Sequence, residues 1–311
     1  MATDKMLTPD DFVKLTKEEK KTETVVRESI SAWKDAWLRL KANKMAMICL
    51  ALLIAIVIMA IAGPWISKLA GHDFSTNHLT EKNTAPNGTY WFGTDNLGRD
   101  MFARTWMGTG ISLQVGLYAA LADLVVGVIM GGIMGYFGGR VDEILNRFCE
   151  IIYSIPSMLI IILLIVIMEP SMFTIVLALS ITGWVNMAWL VRGQIMQLKN
   201  QEYVMAAQAL GASTPRILFR HLIPNAMGPI IVTLTLTVPS AIFAEAFLSF
   251  LGLGVQSPAA SLGTMINDAI KAWTLYPWRM WFPAVIISLM MLCFNIFGDG
   301  LRDALDPKMK K

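Results

Sequence analysis

The sequence specifies an all-α membrane protein, and two observations carry that reading. Hydrophobic residues make up 55% of the 311 and charged residues only 16%, where ordinary soluble domains hold roughly 25% charged residues. Six stretches, near 45–66, 112–136, 149–168, 171–191, 226–249 and 281–300, are long and apolar, each close to the roughly 20 residues that a helix needs to cross a bilayer. The run 159–168 contains only Leu, Ile, Val and Met. It lacks the alternation of a membrane barrel, which leaves helices to satisfy the backbone in lipid.

The elements follow in order. Residues 1–28 read as a polar cytoplasmic tail, rich in Lys, Glu and Thr over 9–28, and the first 44 residues lack the early apolar core and small-residue cleavage site of a signal peptide. Over 29–66, Ile30, Trp33, Trp37 and Leu40 share a helical face ahead of the first span, with Lys34, Arg39, Lys41 and Lys44 elsewhere. That pattern fits a helix lying in the membrane interface, and equally one packed on its own protein. A loop is expected over 67–111, five spans over 112–301, and a short tail over 302–311. Gly127, Gly131 and Gly135 recur every fourth residue in the second span, a spacing that lets another helix approach closely. Pro229 and Pro239 should perturb the fifth span and free backbone carbonyls.

Orientation follows from the basic residues. With the N-terminus inside, 20 of the 26 Lys and Arg fall in cytoplasmic segments, while 4 lie in 67–111 and 2 in 250–280. The positive-inside rule then makes both termini cytoplasmic, together with the loop near 200–224. The formal net charge of +3 says less than this distribution does.

That loop carries its own helix punctuation. Val204, Ala207 and Leu210 recur at helical spacing up to Gly211, a natural residue just past a helix end. Ser213 and Thr214 offer capping oxygens, Pro215 suits a first helical turn, and Pro224 is expected to stop the second helix. Residues 202–224 therefore read as helix, tight turn, helix. Such a hairpin on a membrane face is a docking surface.

Catalytic signatures are missing. The sequence has no Gly-x-x-x-x-Gly-Lys-Ser/Thr loop, His-Glu-x-x-His, Cys-x-x-Cys or Gly-x-Ser-x-Gly. No enzyme activity, cofactor or metal is expected of this chain, and nothing points to nucleic acid. Cys49, Cys149 and Cys293 lie in or beside spans and read as small buried hydrophobes, like most of the 21 Met. His72, His78 and His221 are far apart in sequence. Asp123 sits midway along the second span, where a charge costs several kcal/mol unless paired or hydrated. It either bonds between helices or lines a watery path. Glu245, near the outer end of the fifth span, is open to the same two readings, and Glu150 begins the third.

The 202–224 segment resembles the coupling loop of ABC-importer permeases, Glu-Ala-Ala, three residues, Gly, nine residues, then Ile-x-Leu-Pro. Ala206, Ala207, Gly211 and Pro224 fall on that spacing. Met205 stands at the Glu position, His221 at Ile and Ile223 at Leu; Glu202 lies one turn earlier. Three further motifs resemble the dipeptide/oligopeptide permease group, C-type subunit: residues 92–104 (Phe-Gly-Thr-Asp-Asn-Leu-Gly-Arg-Asp onward), 245–254, and the ending 294–307. Residues 257–263 match more loosely, with Leu262 where the group has Trp.

The resemblance covers about 30–311 and implies a type I importer permease fold. It also implies a second, homologous permease subunit, two ATP-hydrolysing subunits, and a peptide-binding protein outside a bacterial cytoplasmic membrane. ATPase contact would fall on Glu202, Ala206, Ala207, Gly211, Ala212, Pro215 and Pro224, with Asp123 and Glu245 as candidates for the translocation path. Nickel complexes, heme and opines are cargoes of the same group. An ion-coupled secondary transporter, with Asp123 and Glu245 as ion sites, is the competing class; it would need the membrane potential or proton gradient rather than ATP. A non-transporting scaffold would explain the hairpin and the outer motifs poorly.

Overall fold

The computed structural model describes residues 31–256 and 258–306. The tail expected over 1–28, Ile30, Ser257 and the residues from Pro307 onward lie outside them. The described residues form α1 (Ala32–Ala42), α2 (Lys44–Leu69), α3 (Met101–Phe137), α4 (Gly139–Ser154), α5 (Ser157–Met168) and α6 (Met172–Leu198), then α7 (Glu202–Ala209), α8 (Thr214–Ile217), α9 (Ile223–Phe250), α10 (Leu262–Ile270) and α11 (Trp278–Leu305). No strand is present among them.

Five helices are long and apolar enough to cross a membrane: α2, α3, α6, a continuous Thr214–Phe250 rod, and α11. The apolar stretch at 149–168, read from sequence as one span, is not one helix. Its first residues close α4 and its remainder is α5, and the two helices meet at 75°. Pro156 is the cause: it removes an N–H and forces Ile155 into an extended conformation (ψ 127°). At 12 residues α5 is about 18 Å long, short of the roughly 30 Å hydrocarbon core. Only α4 and α5 taken together are long and apolar enough for a sixth crossing.

Two other boundaries move for local reasons. Helix α3 begins at Met101, well before the apolar stretch, because the Asp100 carboxylate caps it by accepting from the N–H groups of Phe102 (3.0 Å) and Ala103 (3.4 Å). Helix α6 runs past residue 191 because Arg192 stays in the helix and grips Asp142 of α4 with Nε at 2.5 Å and Nη2 at 2.6 Å.

Helices α3 and α6 form the most extensive pairing, and the glycine spacing explains it. A Cβ on Gly127, Gly131 or Gly135 would lie 2.6–2.8 Å from the Cβ atoms of Met187, Val191 and Ile195. Bare glycines let the two backbones close up. Helix α2 buries one narrow face (Cys49, Leu53, Ile56, Gly63) and exposes Ile54, Ile58 and Ile61, as suits contact with lipid. All three cysteines are buried, and Cys49 packs in the same cluster as Cys293. In α1 the sequence-read face divides. Leu40 and Ala36 are buried, with Leu40 set against the end of α11, while Trp33 and Trp37 are half exposed.

Candidate functional site

The hairpin is built by backbone hydrogen bonds. Helix α7 ends in a Schellman closure: Gly211 N–H donates to Gln208 O (2.9 Å) and Ala212 N–H to Ala207 O (3.0 Å). Gly211 adopts φ +78°, which L residues rarely tolerate. Ser213 sits at the N-cap of α8 without a side-chain cap bond, and Pro215 follows in its first turn. Val204, Ile217, Leu218 and Leu222 anchor the hairpin in a core shared with Met187, Val191 and Ile195 of α6.

Its other side faces outward. Glu202, Ala206, Gly211 and Pro215 are exposed, and Ala207 and Ala212 half-buried. Around them Leu210 is 88% exposed, Phe219 67% and Met205 51%. These three side chains leave an apolar surface open on the turn. Leu210, which shares its helical spacing with buried Val204, is itself open, at the C-cap where α7 closes.

Pro224 does not stop the second helix. A π turn, Leu218–Leu222, precedes it, with Ile223 N–H donating to Leu218 O. The wider turn accommodates the ring and missing N–H of Pro224, so α8 runs into α9 as one rod. Pro224 therefore lies apart from the Gly211 turn and lines a cleft of about 260 Å³ with Trp33, Ala36 and Arg39 of α1. A second groove of about 450 Å³ separates α7 from the end of α3. There Lys199, which the sequence reading passed over, donates to Gly135 O (2.9 Å) and Tyr136 O (3.4 Å) and caps α3. A basic residue just past a span was the available signal.

Between α3, α5, α6 and α9 lies a cavity of about 420 Å³ with a polar stripe: Asp123, Thr182, Asn186, Thr233, Thr237 and Ser240. The i, i+4, i+7 spacing of the last three puts them on one face of α9. Asp123 is 5% exposed, and its Oδ1 has no hydrogen-bond partner.

Glu245 stands apart from that cavity. It is fully buried and accepts from Ser112 Oγ of α3 (2.8 Å) and Ser249 Oγ (2.6 Å); Ser261, the cap of α10, donates to Ser249 (3.0 Å). The structure thus separates two acids that the sequence paired: Asp123 lines the cavity, whereas Glu245 ties three helices together.

At the other end of α3 the 92–104 motif folds into a buried polar knot. Asp95 accepts from Leu97 N–H (2.8 Å), Arg99 N–H (2.9 Å) and Arg99 Nε (2.7 Å), with Arg104 Nε at 3.4 Å. Arg279 of α11 reaches Asn83 (3.2 Å), Asn96 (3.4 Å) and Asp268 O (3.3 Å). Arg99 and Asp100 do not make the exposed surface pair that adjacency suggests: Arg99 turns to Asp95, and Asp100 caps α3 and accepts from Ser67. Burial, reinforced by Glu81, pushes the Tyr90 hydroxyl up to about 12, so it remains a donor to that carboxylate. Gly93 and Gly98 turn the chain at φ +73° and +77°, in places too tight for a side chain.

Comparison with known proteins gives this geometry its context. Residues 127–311 match the family described as "Binding-protein-dependent transport system inner membrane component", and residues 31–86 match the "N-terminal TM domain of oligopeptide transport permease C". The chain belongs to this transport family. The oligopeptide transport system permease protein OppC of Bacillus subtilis is 55% identical over 93% of this chain and 94% of its own length. The dipeptide permease DppC of the same organism is 52% identical over 97% and 94%, and OppC of Escherichia coli K12 41% over 90% and 93%. A solved structure of the MetNI methionine ABC transporter superposes with a TM-score of 0.55, covering 66% of this chain and 98% of that one at 17% identity. That likeness establishes the type I importer permease fold for this family member. It is a multi-pass membrane protein.

Proposed function

We propose that this permease is one of two homologous membrane subunits of an ATP-driven importer of dipeptides or oligopeptides in a bacterial cytoplasmic membrane. The names of its relatives support the cargo class. Two separate ATPase subunits drive it, a peptide-binding protein delivers from outside, and both termini face the cytoplasm. The chain forms half of the pathway, and ATP is hydrolysed elsewhere. The hairpin carries the reading: a turn locked by Gly211 presents Leu210, Phe219 and Met205 to a partner on a core-anchored base.

Closure of the ATPases pushes on Glu202, Ala206, Ala207, Gly211, Ala212 and Pro215. The push passes into the rod that begins at Thr214, and the spans shift between outward- and inward-open arrangements. Asp123 and its cavity lie on the path. Glu245 lies behind it, holding α3, α9 and α10 in register.

Cysteine cross-linking tests the assignment. Ala212→Cys should cross-link to a copurified ATPase, with a yield that changes when ATP is trapped. A copurified ATPase that never cross-links at residue 212 would move the contact elsewhere, and purification without any ATPase would sink the importer reading.

A further inference from the structure

Among the described residues, the buried carboxylates divide sharply. Asp95 is held by two guanidiniums and two backbone N–H groups, Asp100 by a helix start, Asp142 by Arg192, and Glu245 by two serines. Asp123 alone keeps a buried oxygen without a partner. Room has been made for it. A Cβ at Gly183 of α6 would lie 2.7 Å from the Asp123 Cγ, so only glycine lets this carboxyl stand where it does.

The rest of the lining is neutral. Thr182, Asn186, Thr233, Thr237 and Ser240 offer dipoles, and no Lys, Arg or His lines the cavity. The hydroxyls of Thr237 and Ser240 already donate to backbone carbonyls of their own helix. Arg192, the basic residue further along α6, is engaged with Asp142. When it ionises, a carboxyl at this depth needs a cation, and among the described residues none lines the cavity to supply one. We propose that Asp123 is a passage site for the α-ammonium group of the cargo peptide. The inference rests on the reading of this cavity as part of a peptide path. An amino terminus is the one cation every linear peptide carries whatever its sequence, and with a pKa of about 8 it is charged at neutral pH. One carboxylate among weak dipoles grips that common feature and leaves the side chains unread.

The test uses the assembled transporter reconstituted in vesicles. Ser240→Cys is placed on the cavity wall, against native cysteines that are all buried. Its labelling by ethylammonium methanethiosulfonate is compared with that by the neutral methyl reagent, in chains carrying Asp123 or Asp123→Asn. The cation-to-neutral rate ratio should be about tenfold higher with Asp123. Equal ratios would overturn the proposal, because the carboxyl is then protonated or already paired with the second permease subunit.

Uptake gives the second readout. Tri-alanine transport should fall about tenfold in Asp123→Asn, while N-acetyl-tri-alanine keeps its variant-to-parent ratio near one. Using that ratio cancels any preference of the binding protein. Equal losses for both peptides would mean that Asp123 only supports the fold. If Asp123→Asn does not assemble, the parent chain decides: tri-alanine must slow ethylammonium labelling more than its acetylated form does, and equal slowing counts against the site. Failure of the path reading looks different. Neither peptide would then protect residue 240 in any nucleotide state, whatever the charge preference.

Discussion

Two loops at opposite ends of α3 handle their polar and apolar groups in contrary ways. The 73–104 loop buries its charges. Asp95, Arg99, Asp100 and Arg104 are each at most 5% exposed, and Asp95 and Arg104 alone join the loop, α3 and the segment before α10. The 202–222 hairpin does the reverse, leaving Leu210, Phe219 and Met205 open while its backbone bonds are closed. Both carry family-like motifs, yet one motif is spent on holding its own chain and the other faces outward. A motif therefore does not reveal by itself whether it serves the fold or a partner; burial does.

The largest effect expected from breaking this contrast is at Gly211. Gly211→Pro removes the N–H that bonds Gln208 and demands a φ near −65° where the chain has +78°. Uptake should be abolished, while the strain, about 1–3 kcal/mol, stays local and membrane insertion is normal. Transport of labelled peptide per inserted molecule checks it, and unchanged transport would count against the hairpin as the coupling element. Next comes Asp95→Ala, which strips Arg99 and Arg104 of a shared buried carboxylate at a cost of about 3–5 kcal/mol. A melting temperature lower by at least about 6 °C is expected in detergent; a stable variant would show that the knot is not structural. Smallest in stability is Leu210→Ser, within about 0.5 kcal/mol because the side chain is already in solvent. Its effect should appear in the yield of copurified ATPase, down about fivefold if Leu210 is an anchor of the contact. A destabilised Leu210→Ser would erase the distinction between the two loops.

Much of this was legible in the sequence. Five of the six apolar stretches, the glycine stripe that meets α6, and the turn at Gly211 depend on short-range patterns, and the structure realises each. What escaped depends on pairing across the fold. Nothing adjacent to Asp95 says that Arg104 will share it, and nothing near Asp142 names Arg192, fifty residues on. The break at Pro156 was visible but subordinate to the apolar run around it. Pro224 was read by the ordinary rule for prolines, and the π turn that absorbs it has no sequence signature. Asp123 and Glu245 looked alike until their neighbours were known: serines for one, an open glycine-backed wall for the other.

The π turn at Leu218–Leu222 has a mechanical consequence. It removes the joint that a hairpin and a span would otherwise share, leaving one bar of 37 residues from Thr214 to Phe250, about 55 Å long. The far part of that bar is tied to α3 and α10 through Glu245 and Ser249, and the near part is packed against α6 through Ile217, Leu218, Leu222 and Ile230. Under the proposed coupling, a push beside Gly211 would enter this bar at Thr214 and run towards Pro229 and Pro239, which lie on either side of the cavity residues Thr233 and Thr237.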